Sequence, residues 1–300
     1  MQRKLTKALC LCTLLAASPV LAAEHDWTSV ATALGKSGTE MAGGVYRVGL
    51  PRTDLHVVLD GVDIKPTLAL GSWLAFEGDG DMTMVMGDLV LTETEVAPVM
   101  RKLVENGIAI TALHNLLLRS QPATLYMHVQ GHGDPTKLAS ALHDALALSK
   151  TPLTSTPSAT SQEGAAPPSI DLDTALLDRT LGGKGKVAGG VYHFGVPRGE
   201  TIHDGGMVVP VAMGSAEAIN FQPTGGGKAA ITGDFVLTAN EVNPVIEALL
   251  AHGIEVTALH NHMLDDEPRL FFMHFWANDD AGKLATGVRA ALDKINLVKN

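Results

Sequence analysis

The chain repeats itself. At a constant offset of 146 residues, Ala42-Gly43-Gly44-Val45-Tyr46 recurs as Ala188-Gly189-Gly190-Val191-Tyr192, and Gly49-Leu50-Pro51-Arg52 as Gly195-Val196-Pro197-Arg198. Gly87-Asp88-Leu89-Val90-Leu91-Thr92 returns as Gly233-Asp234-Phe235-Val236-Leu237-Thr238, and Thr111-Ala112-Leu113-His114-Asn115 as Thr257-Ala258-Leu259-His260-Asn261. Met127-His128 matches Met273-His274. Only residues 53–80 drift, by one or two positions. Whatever fold the sequence adopts must therefore occur twice. Residues 23–149 and 171–300 are the two copies. Residues 150–170, rich in Thr, Ser, Pro, Ala and Gly, read as a flexible linker, because such a segment buries too little apolar surface to offset its ordering entropy. With 46% hydrophobic and 18% charged residues, both copies have material for a packed core.

Local patterns give the unit an order. In the second copy Asp171 to Leu181 reads as a helix, and Gly190–Val196, Met207–Met213 and Ala229–Leu237 as strands. Thr238 with Glu241 is a capping box opening a helix that stops near Gly253; Thr92 with Glu95 repeats it. Ile254–His262 and Leu270–Trp276 read as a hairpin, and Ala281–Ile295 as a last helix. The β-β-β-α-β-β-α order with short connections predicts an α+β fold, a mainly antiparallel sheet covered by helices in each copy.

Residues 1–22 have the layout of a signal peptide. Arg3, Lys4 and Lys7 precede the apolar run Ala8 to Ala17, and Val20-Leu21-Ala22 forms a small-residue cleavage site. An exported, periplasmic or extracellular protein is expected, with no transmembrane span. Cys10 and Cys12, the two cysteines of the chain, leave with this segment. Net charge is −10, and about −13 once those three cations are lost, so nucleic acid is not an expected partner.

The chemistry-bearing feature is histidine. His260 and His262, two apart on a strand, face the same way, and a hairpin turning at Glu267-Pro268 sets His274 opposite His260. Three converging imidazoles with an open position are the pattern of a catalytic zinc site, although imidazole also suits other transition metals. A polar sheet face explains the same spacing. In the first copy His114 and His128 recur but Leu116 replaces His262, so that copy is expected to bind metal poorly or not at all. Asp234 and Asp204 are the candidate general bases. The alternating Met82, Met84 and Met86 suit either thioether ligation of copper or a buried sheet face.

The strings Gly-Gly-Val-Tyr…Gly-Val-Pro-Arg, Gly-Asp-Phe-Val-Leu-Thr, Ala-Leu-His-Asn-His-Met and Phe-Met-His-Phe-Trp resemble the LppY/LpqO family of exported bacterial envelope proteins, over nearly the whole chain after residue 22. The resemblance implies a duplicated envelope protein and no particular activity. It also implies His-Asn-His in both copies, from which Leu116 departs. His-x-His with a third His about eleven residues on is similar to the zinc site of acetolactate decarboxylases, a likeness of site only. Two expectations follow. One is a metal-dependent hydrolase or lyase, with a divalent metal, zinc first, on His260, His262 and His274, acting on an unknown small molecule. The alternative is a non-catalytic module binding an envelope component or a protein partner.

Overall fold

A computed structural model describes residues 27–153 and 169–298. The expected signal peptide, both cysteines and most of the expected linker lie outside them.

Each repeat builds one six-stranded, wholly antiparallel sheet with helices on one face. In the first the spatial order is Thr39–Glu40, Tyr46–Pro51, Gly71–Glu77, Thr83–Thr92, Thr124–Gly133, Ala109–Asn115. In the second it is Lys186–Ala188, Val191–Pro197, Ala216–Gly225, Lys228–Thr238, Leu270–Asp280, Glu255–His260. The expected α+β order is present in both copies, preceded by a short helix, Thr28–Leu34 or Thr174–Leu181.

The capping boxes open the helices Glu93–Glu105 and Ala239–Ala251, with both reciprocal hydrogen bonds formed. The same Glu anchors the Pro-Arg motif. Arg52, fully buried, donates to Glu95 at 2.8 and 3.1 Å and to the Val90 carbonyl at 2.6 Å. Arg198 repeats this with Glu241 and Val236. Burial alone would raise Glu95 and Glu241, but the Arg and backbone N–H hydrogen bonds hold both below the ordinary carboxylate value.

One reading needs correction. Met207–Met213 is a two-residue bridge strand, Met207–Val208, followed by one 3-10 turn, Val211–Met213; the third strand is Ala216–Gly225. Pro210 has no N–H to give a ladder. Val209 and Met213 are buried instead against the other repeat, in one cluster with Val45, Met84 and Met86, while Val208 and Val211 are exposed.

That cluster shows how the repeats meet. Strand side chains alternate between faces, and here both faces are buried. In Thr83–Thr92 the side chains of Val85, Leu89 and Leu91 meet the helices. Met84, Met86 and Val90 belong to cores shared with the second repeat. The helix-free faces of the two sheets therefore pack on each other. Reciprocal bonds mark an approximate twofold axis: Asn115 Nδ2 donates to the Thr257 carbonyl at 3.0 Å, and Asn261 Nδ2 to the Thr111 carbonyl at 2.8 Å. Among the described residues no helix is long and apolar enough to cross a membrane.

Candidate metal centre

Along Thr83–Thr92 the side chain of Asp88 shares the inward parity of Met86 and Val90, and Asp234 does the same in the second repeat. Inward side chains of the next strands are His128 and His274, set directly opposite Asp88 and Asp234 in the ladders. His114 and His260 follow on the edge strands. Stacking the two faces brings five imidazoles together. His114 and His260 stack at 3.4 Å between centroids, and His128 and His262 at 3.7 Å. Two overlapping ligand sets result, His114/His128/His260/His262 and Asp234/His260/His262/His274, each with its ligand atoms within 4.8 Å of one another.

Backbone carbonyls orient the rings. Nδ1 donates to Asn115 O from His114 (2.9 Å), to Asn261 O from His260 (3.1 Å) and to Gly233 O from His274 (2.8 Å). A carbonyl only accepts, so each of these Nδ1 atoms carries the proton and each Nε2 presents a lone pair. That is how metal-ligating histidines are commonly held. Gly233 must be glycine for this strand to lie so close: a Cβ there would sit 2.0 Å from the Ala218 carbonyl oxygen.

The two sets differ in what they leave unmet. His128 Nε2 lies 2.9 Å from His114 Nε2 and donates to it, so that pair is satisfied. Nε2 of His260, His262 and His274 and Oδ1 of Asp234 are buried with no hydrogen-bond partner, as is Oδ1 of Asp88. Each orphan costs about 1–3 kcal/mol, and natural proteins rarely gather several in one place. The 3.2 Å approach of His262 Nε2 to Asp234 Oδ2 is an ion-pair distance, but its angles are too poor for a hydrogen bond.

Burial pushes His114 down to about 4, His274 to about 3, His260 to about 2, and His128 and His262 well below the ordinary value. The rings are neutral at physiological pH, which is the ligating form. Burial drives Asp88 up to about 7, moderated by Arg47, and Asp234 well up, reinforced by Asp88. A cation among these groups would reverse that penalty and favour both carboxylates ionised. Donor chemistry, ring orientation and orphaned atoms all fit a divalent transition metal.

The expected triad His260, His262 and His274 is thus brought together, but by a different geometry. The observed register sets Ala258 opposite His274 and Phe272 opposite His260, with a bulge further back, between Val256 and Ala258. The strand ends at His260, so His262 does not share its face; it reaches the cluster from the following loop and stacks on Phe272 at 3.5 Å. Asp266–Glu267 leaves the hairpin to pair with His203–Asp204. Asp234 stands among the ligand atoms. Asp204 does not join them: it accepts from Gln130 of the first repeat and, at 3.2 Å, from Asp265 N. Trp276, the repeat counterpart of Gln130, bonds Asp60 in the same cross-repeat manner, at 3.2 Å. His114, His128 and Asp88 were not expected at the site. Their signal was present in the persistence of both histidines and the aspartate in both copies. Met84 and Met86 are inter-repeat core, and Met82 is exposed.

The molecule is a tandem α+β protein with a histidine-rich centre between its halves. It belongs to the family described as Domain of Unknown Function (DUF1259), whose model matches residues 28–148 and again 175–294. No curated protein matches the chain. Among solved structures it is similar to the trimeric bacterial microcompartment shell protein PduB, with 12% identity over 88% of this chain and 96% of that one and a TM-score of 0.21. It is also similar to EtuB from Clostridium kluyveri, with 8% identity over 86% and 90% and a TM-score of 0.20. Scores that low carry no argument about this chain.

Proposed function

We propose that this protein holds one divalent metal ion, zinc first among candidates, on His260, His262 and His274 with Asp234 as fourth ligand, and that it is a metal-dependent hydrolase or lyase. The carrying observation is that the orphaned buried atoms of the cluster are the four ligand atoms of this set together with one oxygen of Asp88. Three imidazoles and a carboxylate suit zinc. The two ligand sets share His260 and His262, and Nδ1 of His260 is taken by a carbonyl, so the sets support one ion rather than two. Bound there, a divalent ion would supply Lewis-acid polarisation of a substrate oxygen taken as an additional ligand beside these four residues.

Duplicated residues would then divide the work. His114 and His128, satisfied by each other, form the wall beside the ion. Asp88 borders the adjoining cavity, and beside a bound cation its carboxylate would be ionised and placed to take a proton from substrate. Asp204, engaged in holding the repeats, is left out of that role. The cavity of about 280 Å³ lies just below the usual span of ligand pockets, ~300–1,000 Å³, which favours a small molecule over a macromolecule. We also infer export, from the signal-peptide pattern of residues 1–22.

The test is turnover of a panel of small esters, amides and β-keto acids by tag-free protein. Activity lost on chelation, restored by zinc and not restored in His260→Ala supports the reading. Activity indifferent to chelator, or none in fully loaded protein, contradicts it.

A further inference from the structure

A further difference between the two repeats at the shared cavity concerns charge. Arg47 lines it, and the residue at the same offset in the second repeat is His193. His193 is occupied, bonding Asn220 Oδ1 at 2.7 Å and the Ala188 carbonyl at 3.2 Å. Arg47 is not comparably engaged. Its guanidinium lies 4.0 Å over the Trp73 ring, and among the described residues it makes one hydrogen bond, from Nη1 to the Ala212 carbonyl. The two buried arginines of this fold, Arg52 and Arg198, are each forked onto a carboxylate, whereas Arg47 is half-buried. A partly desolvated cation without such a fork is open to an anionic partner. Burial lowers Arg47 to about 10, with Asp88 acting against that shift.

The second repeat thus brings the extra imidazole, His262 against Leu116, while the first brings the extra cation, Arg47 against His193. Both border the same cavity, with Asp88 and His274. We propose that this cavity takes a small monocarboxylate, anchored through its carboxylate by Arg47 and directed by that anchor toward the metal set. A guanidinium held over an aromatic ring keeps its remaining N–H donors as a planar fork, which matches a carboxylate. The volume of about 280 Å³ limits the ligand to about a dozen heavy atoms, since a cavity of ~150 Å³ holds benzene. A dianion is disfavoured because Asp88 and Asp234 border the same space. The direction toward metal rests on the preceding proposal; the anchoring does not.

Propionate, titrated calorimetrically into full-length zinc-loaded protein and into chelated protein, is the probe, with propionamide and inorganic phosphate as comparisons. Charge-assisted hydrogen bonds set the scale, so propionate should bind at least about tenfold more tightly than propionamide. Arg47→Met should weaken propionate by at least about tenfold and leave metal content at the wild-type level, which also reports that the inter-repeat site has folded. Arg47→Lys should fall between, keeping charge without the fork. Equal binding of acid and amide, undiminished propionate binding by Arg47→Met, or tighter binding of phosphate than of propionate would overturn the proposal. If wild-type protein takes up no metal, the metal reading fails separately, and Arg47-dependent propionate binding to that same protein still supports the anchor.

Discussion

Replacing His262 by the residue its own repeat partner carries, His262→Leu, should cost stability chiefly when metal is bound. In the metal-free protein the imidazole is a liability. Its Nε2 is buried without a partner, and removing such a group returns about 1–3 kcal/mol. Against this stands the loss of ring stacking on Phe272 and His128, about 0.5–1.5 kcal/mol for each of the two pairs. Leucine suits this kind of environment, as Leu116 is buried in the inter-repeat core of the first copy. Metal-free His262→Leu should therefore lie within ~2 kcal/mol of wild type in either direction. With metal the balance turns against the variant. Loss of an outer partner of a ligand alone costs 10–100-fold in affinity, so loss of a ligand should cost at least about 100-fold. At a fixed large excess of zinc that lowers the linked stabilisation by about 2.7 kcal/mol. Urea melts of both proteins, with chelator and with zinc, measure all four quantities. Equal destabilisation under both conditions would show that His262 is a packing residue and refute the reasoning.

Other consequences are equally direct. Arg52→Met should destabilise by about 3–5 kcal/mol in urea melts, because it strands the buried Glu95 carboxylate; a change under ~1 kcal/mol would deny the ion pair its role. Metal-free protein should lose stability as pH falls below about 6.5, since unfolding lets five suppressed imidazoles protonate. Asp88 and Asp234, raised in the folded state, oppose this in the same range but are fewer. Glu95 and Glu241, depressed when folded, add stability above about 4.5 that is lost as pH falls through their folded values. A urea midpoint unchanged between pH 7.5 and 5 would contradict this account. Asp88→Asn should retain the metal and lose turnover by at least about 100-fold, the lower range for a general acid or base; retained turnover would remove Asp88 from the mechanism.

Much of this arrangement was legible because it is local. The capping boxes involve residues three apart, and each formed as the sequence implied. Strand parity survives register error: His274 lies opposite Ala258 rather than His260, a slip of two, which keeps side chains on the same face. What was hidden is contact between copies. Nothing in the spacing of His114 and His128 says that their sheet face packs on that of His260 and His274. The substitution at Leu116 pointed to a weakened first copy, and the histidines that copy keeps, His114 and His128, lie against those of the second. Likewise Arg47 reads as an ordinary strand cation until the second repeat covers it. Met207–Met213 misled because its apolar alternation serves a cross-repeat core rather than a ladder.

The most direct test of the central claim is metal content by elemental analysis, with X-ray absorption at the metal edge, on protein purified without a histidine tag. One ion per chain is expected, coordinated by nitrogens at ~2.0–2.1 Å in numbers matching three imidazoles and by an oxygen from Asp234. Wild-type protein without stoichiometric metal after exposure to excess zinc, or holding as much as His262→Leu, would contradict it.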